Sequence, residues 1–406
     1  VIVREYATCG ECGTAHVLRV GMGAEPVQEH RFACTSCGQE MSIRLVDGEG
    51  WTFGPNTMKS DWSDDAPIIN LHPSFVFSKD EIGSAAAFPS LDFGVDIIKA
   101  IMDARERAGL SRDIEDLAGE HPPRARITAE WDQLRAAWSL ARNGKTKLAE
   151  KRLRGFIPTA GYPDPPDTIV DWLFQFVGSL MQPYFEQHFE GLFRQLQTAM
   201  EREDFGRFLT YYDEHMSQAH ARRYFEGCKA YLGAFSEFSQ VHHLVTANAD
   251  VGDGDGHAAA SANFDVTRMI YGNAFEAFGD NVEVLVALNN LVEGRPFDQL
   301  CSITLAAYLQ TDKAGRCKAV TENAAMADVC GEFDNRVRNA SHHGGMVFDR
   351  AAGTVEYRAG RGGQGEVRTM GYTTYLARCT KLFIQLMLLF RLEILLAHKF
   401  GTRPPL

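Results

Sequence analysis

Leu376, Cys379, Phe383, Leu386, Phe390 and Ile394 recur at steps of 3, 4, 3, 4 and 4 within residues 375–398, a spacing that points to a helical class of fold. Steps that alternate between three and four put side chains on one stripe of a 3.6-residue helix. A long apolar helix is therefore expected near the end of the chain. Its most apolar run, 382–390, contains Gln385 and is bracketed by Lys381 and Arg391. Crossing a bilayer takes about 20 apolar residues, so this helix belongs in a protein core and no membrane partner is expected. The same periodicity appears upstream, where Trp131, Leu134, Trp138 and Ala141 make an amphipathic stripe. Pro and Gly crowd 158–166 and end that block, and 172–200 and 205–245 read as further helices with aromatic faces.

Other signals govern the amino-terminal part. Cys9-Gly10-Glu11-Cys12-Gly13 and Cys34-Thr35-Ser36-Cys37-Gly38 repeat one shape, CxxCG, with 21 residues between the pairs. Two residues between cysteines let both thiolates face one ion, and the following glycine suits a left-handed backbone position. The pattern predicts a closed four-cysteine zinc ribbon in residues 1–48, structural and not catalytic, with strands at 15–20 and 41–46. A redox role for either pair would need one CxxC in a βαβ setting, not two matched ones. The remaining five cysteines are scattered without paired spacing, as in a reducing compartment.

The whole chain thus reads as mainly α, with a small N-terminal β zinc ribbon, an irregular connector at 51–92, a helical middle region at 93–245 and a C-terminal helical bundle at 265–402. The acidic loop around Asp253 resembles a calcium loop, but its twelfth position is Phe264 where an EF-hand needs Glu. It is read as a flexible connection. The 406 residues are 45% apolar and 23% charged, which is globular composition. A net charge of −12 excludes a general nucleic-acid coat protein but leaves room for a local basic site. The opening residues Val1-Ile2-Val3-Arg4-Glu5 carry charge where a signal peptide needs an apolar run, so a cytoplasmic location is expected.

The densest chemistry lies in Asp334-Asn335-Arg336-Val337-Arg338-Asn339-Ala340-Ser341-His342-His343-Gly344-Gly345. On a helix, Arg338 and His342 share a face, and Asn339 and His343 share the adjoining strip. Both histidines fall in the last turn, where the helix end favours imidazolium. A histidine beside a permanent cation and an amide is suited to proton transfer next to phosphate. Residues 336–381 hold eight basic and three acidic side chains, net +5 in an acidic chain, with Arg336, Arg358 and Arg361 as candidate contacts for a polyanion. Helix-end capping by histidine and a surface network of arginines with Asp334 and Glu332 are the structural alternative.

Arg338-Asn339-Ala340-Ser341-His342-His343 resembles the signature of the HEPN ribonuclease superfamily: Arg, a polar residue often Asn, a few variable positions, then His. The likeness covers roughly the last 140 residues. It implies a HEPN-like helical domain, two-fold dimers in which the motif helices meet, and RNA cleavage without a metal. Arg338 would then stabilise charge on the scissile phosphate and His343 would transfer the proton, with His342 as substitute and Asn339 orienting. Such enzymes often act as bacterial toxins or anti-phage effectors, so a protein or phage-derived trigger is a possible partner. Neither a GxxxxGK[ST] nor a GxGxxG motif occurs, and His215 and His220, five apart, do not share a helical face. The competing expectation is a non-catalytic binding or sensor protein using a HEPN-like domain to dimerise.

Overall fold

The computed structural model describes residues 2–21, 27–61, 63, 65–71, 83–85, 102, 103, 106, 124–154, 166–249, 251, 259, 263–342, 344–349, 352–358 and 365–406. The expected flexible loop around Asp253 lies outside them.

Two small sheets form the amino-terminal unit. β1 (Ile2–Cys9) and β2 (Ala15–Gly21) pair antiparallel, β6 (Thr57–Lys59) adds to β1, and β7 (Ile68–Leu71) runs parallel to β2. β3 (Val27–Ala33), β4 (Glu40–Val46) and β5 (Gly50–Phe53) make the second sheet. In β4 Met41, Ile43 and Leu45 are buried and Arg44 is exposed, the period-two alternation of a half-covered strand. These side chains meet Leu18, Val20, Ile69 and Leu71 in a core of their own.

The expected connector at 51–92 is thereby corrected in its first part. β5, β6 and β7 belong to the sheets, and Trp51 and Phe53 pack on the core. A ribbon ending at residue 48 would leave the outer sides of β1 and β2 unpaired. The return of the chain covers them, with Gly10 N–H donating to the Asn56 carbonyl (2.8 Å) and Ser42 N–H to Thr57 Oγ1 (2.8 Å).

The rest is helical: α1 (Arg124–Arg142), α2 (Thr146–Leu153), α3 (Ile169–Met181), α4 (Glu186–Met200), α5 (Phe205–Tyr211), α6 (Ser217–Gly233) and α7 (Phe235–Thr246) come first. α8 (Ile270–Asn281), α9 (Glu283–Val292), a 3-10 segment (Lys313–Val320), α10 (Ala324–Val329) and α11 (Asn335–His342) follow. A three-stranded meander, β8 (Met346–Asp349), β9 (Thr354–Arg358) and β10 (Val367–Gly371), then leads into α12 (Tyr372–Phe400). A π-helical turn, Tyr212–Met216, joins α5 to α6.

α12 carries the apolar stripe that starts at Leu376, and all six of its residues are buried. So are Leu382, Met387, Leu389 and Leu392 on other sides. The helix is central, packed against α3, α4, α6, α7 and α8. Trp138 of α1 stacks on Phe390 (5.1 Å between centroids), and Tyr231 of α6 stacks on Phe383 (4.0 Å). One core therefore spans the expected middle and C-terminal regions, and the break near residue 250 is not a division of that core. Among the described residues no helix is long and apolar enough to cross a membrane.

Candidate functional site

The cysteine pairs sit on matching turns. Cys9 ends β1 and Cys34 follows β3. In each turn the glycine N–H donates back to the first cysteine's carbonyl, Gly13 to Cys9 and Gly38 to Cys34, both at 2.9 Å. Gly13 (φ 75°) and Gly38 (φ 71°) occupy the left-handed region, where a β-carbon would crowd the following carbonyl. The four sulfurs lie within 4.8 Å of one another, with Cys9 Sγ to Cys37 Sγ 3.8 Å and Cys12 Sγ to Cys34 Sγ 3.5 Å. A tetrahedral zinc with bonds of about 2.3 Å spaces its sulfurs at about 3.8 Å, so the donor set and its size fit such an ion. Disulfide bonding would need about 2.05 Å. Hydrogen bonds from Thr14 bring Cys12 down to about 6, whereas Cys37, despite the Gln39 amide, is pushed up to about 12 by its neighbouring thiols and burial. The neighbouring thiols thus favour the thiolate at Cys12 and hold Cys37 as a thiol, and a cation between them would favour the thiolate at Cys37 as well. Behind the second turn, the Thr35 N–H donates to His16 Nε2 at 3.2 Å, tying it to β2. Burial lowers the His16 pKa and keeps that nitrogen an acceptor.

α11 starts where Asp334 accepts the Arg336 backbone N–H (2.8 Å) and stops at Gly344, φ 67°. Val337 and Ala340 are buried, which turns Arg338 and His342 towards α8. Arg338 Nε donates to Glu276 Oε1 at 2.7 Å and its Nη2 pairs with the same oxygen. One turn away the His342 ring covers Gly272, so closely that a β-carbon there would sit 2.9 Å from Nε2. The four-residue step on α11 thus meets a four-residue step on α8. Asn339 Oδ1 accepts from Arg338 Nη1 at 2.9 Å. Arg338 remains 28% exposed, and Asn339 and His342 are half-buried, so the group is open to solvent.

The other expected residues separate. Arg336, 55% exposed, is ion-paired with Asp334 (3.1 Å), and this partner raises its pKa. Arg378 bridges Glu332 (2.6 Å) and Asp334 (3.0 Å), and Arg368 pairs with Glu366. The basic island counted along the chain is thus partly neutralised in space, because Glu276, Glu332 and Asp334 precede the counted window. Arg358 is exposed on β9. His343 and Arg361 lie outside the described residues.

Sequence reasoning missed a second constellation. His220 is fully buried with Nδ1 2.7 Å from Glu393 Oε1 and Nε2 2.8 Å from Glu283 Oε1. Tyr212 and Tyr224 donate to Glu393 at 2.9 Å and 2.5 Å. Burial alone would lower the histidine's pKa, but the two carboxylates outweigh it and raise it to about 9. A charged imidazolium therefore locks α6, α9 and α12 together. The legible clue was Glu393 itself, since a carboxylate inside an otherwise apolar helix has to be paired. No family model matches the chain, and neither a curated protein nor a solved structure does.

Proposed function

We propose that the chain is a metal-independent endoribonuclease of HEPN type, with Arg338, Asn339 and a histidine of the 342–343 pair as its reacting groups. The observation that supports this reading is that Arg338, bonded to Asn339, and the half-buried His342 meet successive turns of α8, at Glu276 and Gly272. A guanidinium carries five N–H donors. The described contacts of Arg338 use its Nε–H, one N–H of Nη1 and one of Nη2. One N–H on each terminal nitrogen is left to donate to phosphodiester oxygens.

In the proposed reaction the RNA 2′-hydroxyl loses its proton to a base and attacks the adjacent phosphorus. The 5′-oxygen bond breaks, leaving a 2′,3′-cyclic phosphate and a 5′-hydroxyl. Arg338 stabilises the charge on the non-bridging oxygens, and a histidine exchanges the proton. DNA lacks the hydroxyl and is not cut. The four cysteines hold a structural zinc that takes no part in this chemistry. A homodimer through the C-terminal region, an RNA substrate and a phage-derived or protein trigger complete the reading of a cytoplasmic toxin or defence effector.

The test is purified protein on labelled RNA in excess EDTA, comparing wild type with Arg338→Ala, His342→Ala and His343→Ala. Cleavage that survives the chelator, ends in a cyclic phosphate and is lost in Arg338→Ala and in one histidine variant supports the proposal. The ion pairing of Arg336 and Arg378 favours a second reading, a non-catalytic dimerisation platform. Equal cleavage by wild type and Arg338→Ala, or none by a wild type that also fails to arrest growth on expression, would select it.

A further inference from the structure

Glu276 stands on α8, 62 residues before Arg338, and nothing in the sequence motif points to it. Its two oxygens are divided. Oε1 receives Nε and Nη2 of Arg338, and Oε2 receives the Lys313 ammonium at 2.7 Å. Lys313 is itself held by Asp280 Oδ2 (2.9 Å), one turn further along α8. Asp280 Oδ1 accepts from Arg316 at 2.9 Å, and Arg316 is buried with two further bonds, to the Gly279 and Leu309 carbonyls.

The chain of contacts therefore runs from a buried arginine outward to a partly exposed one, with Lys313 bridging the two carboxylates and Arg223 also reaching Asp280 Oδ2 at 3.4 Å. Burial alone would raise the Glu276 pKa, yet Lys313 and Arg338 lower it, so the group stays a carboxylate. Its contact with Arg338 is on the side of the guanidinium, along Nε and Nη2. The outer end, between Nη1 and Nη2, faces away from Glu276. A carboxylate there would block phosphate; a carboxylate at the side fixes rotation about the last bonds of the arginine and leaves one N–H on each of Nη1 and Nη2.

We infer that Glu276, backed by Lys313, is a positioning residue that aims Arg338 at the phosphate. This rests on the ribonuclease reading and names a second helix as part of the same site. Glu276 touches no reacting atom; it acts through Arg338 alone.

The experiment is a double-mutant cycle in the cleavage assay: wild type, Glu276→Ala, Arg338→Ala and the pair, with Glu276→Gln as a second single variant. Removing one transition-state donor costs about 10²–10³ in kcat, so mis-aiming it in Glu276→Ala is expected to lose at least about 10-fold in kcat with KM changed far less. Glu276→Gln, which keeps an acceptor oxygen, is expected to retain more activity than Glu276→Ala. In the Arg338→Ala background removing Glu276 is expected to cost nothing more.

Three outcomes overturn the inference: Glu276→Ala or Glu276→Gln as active as wild type, either more active than wild type, or losses that add in the double variant. The last would mark a merely structural role, and thermal melting identifies a variant that has failed to fold, in which case Glu276→Gln decides alone. A wild type that never cleaves RNA sinks the ribonuclease reading instead, and so separates the two failures.

Discussion

Arg338 meets a carboxylate on its side and an amide oxygen on Nη1, and this geometry is available only to a planar fork. Lysine keeps the charge but has one nitrogen, which cannot serve Glu276, Asn339 and a phosphate together. Arg338→Lys is therefore expected to fold as wild type and to lose about 10²-fold in kcat. Single-turnover cleavage with a thermal melt reads both, and full activity in Arg338→Lys would contradict the fork. Gly272 is a second sensitive residue. A β-carbon there would stand 2.9 Å from His342 Nε2 and 3.0 Å from Ser341 Oγ, both side-chain atoms. Gly272→Ala is expected to displace the imidazole and lower cleavage more than stability. Unchanged cleavage would show that His342 is not the working histidine.

At the scale of elements, the lock between α6, α9 and α12 has a definite pH signature. His220 is raised from 6.5 to about 9 in the folded chain. A raised pKa stabilises the fold fully below the unfolded value of 6.5, and that contribution disappears as pH rises through about 9. The urea midpoint of wild type should fall across this window, while His220→Gln should show a flatter profile at lower stability. A wild-type midpoint that holds steady up to pH 9 would contradict the charged imidazole. Removing one member of a buried ion pair costs about 3–5 kcal/mol, so Glu393→Ala is expected to be among the most damaging single changes in α12. The π turn at Tyr212–Met216 belongs to the same device. Its Tyr212, with Tyr224 one turn after His220, brings a hydroxyl onto Glu393, and such wide turns often mark sites with a special task.

At the scale of the molecule, the two hydrophobic cores among the described residues imply two responses to metal removal. The sheets around the cysteines have a small core, and below about 40–70 residues such units usually need a metal or other staple. The helical core instead draws on large side chains from α1 to α12. Stripping the metal, or Cys34→Ser, is expected to unfold the strands and leave the helices intact. Calorimetry should then lose one transition and keep the other, and elemental analysis should find one zinc per chain before stripping. Loss of both transitions together would mean that the helical core depends on the ribbon. RNA cleavage in the stripped protein would place the metal outside the chemistry.

Local rules were enough for much of this. The CxxCG pairs announced their turns and sulfur cluster because a metal knuckle is built within five consecutive residues. The helical spacing announced α1 and α12 because a 3.6-residue period is written into the order of side chains. On a helix, their separation of four residues put Arg338 and His342 on one face. Local order could not say what stood opposite that face. Glu276, Gly272 and Lys313 come from segments far away in the chain, and only the folding of α8 onto α11 turned an arginine that could have been free into one that is held. Likewise β5 to β7 read as irregular because a short strand is stabilised by partners distant in sequence and not by its own residues. Pairing and charge neutralisation are properties of contact across the fold, and contact is what the tertiary structure decided.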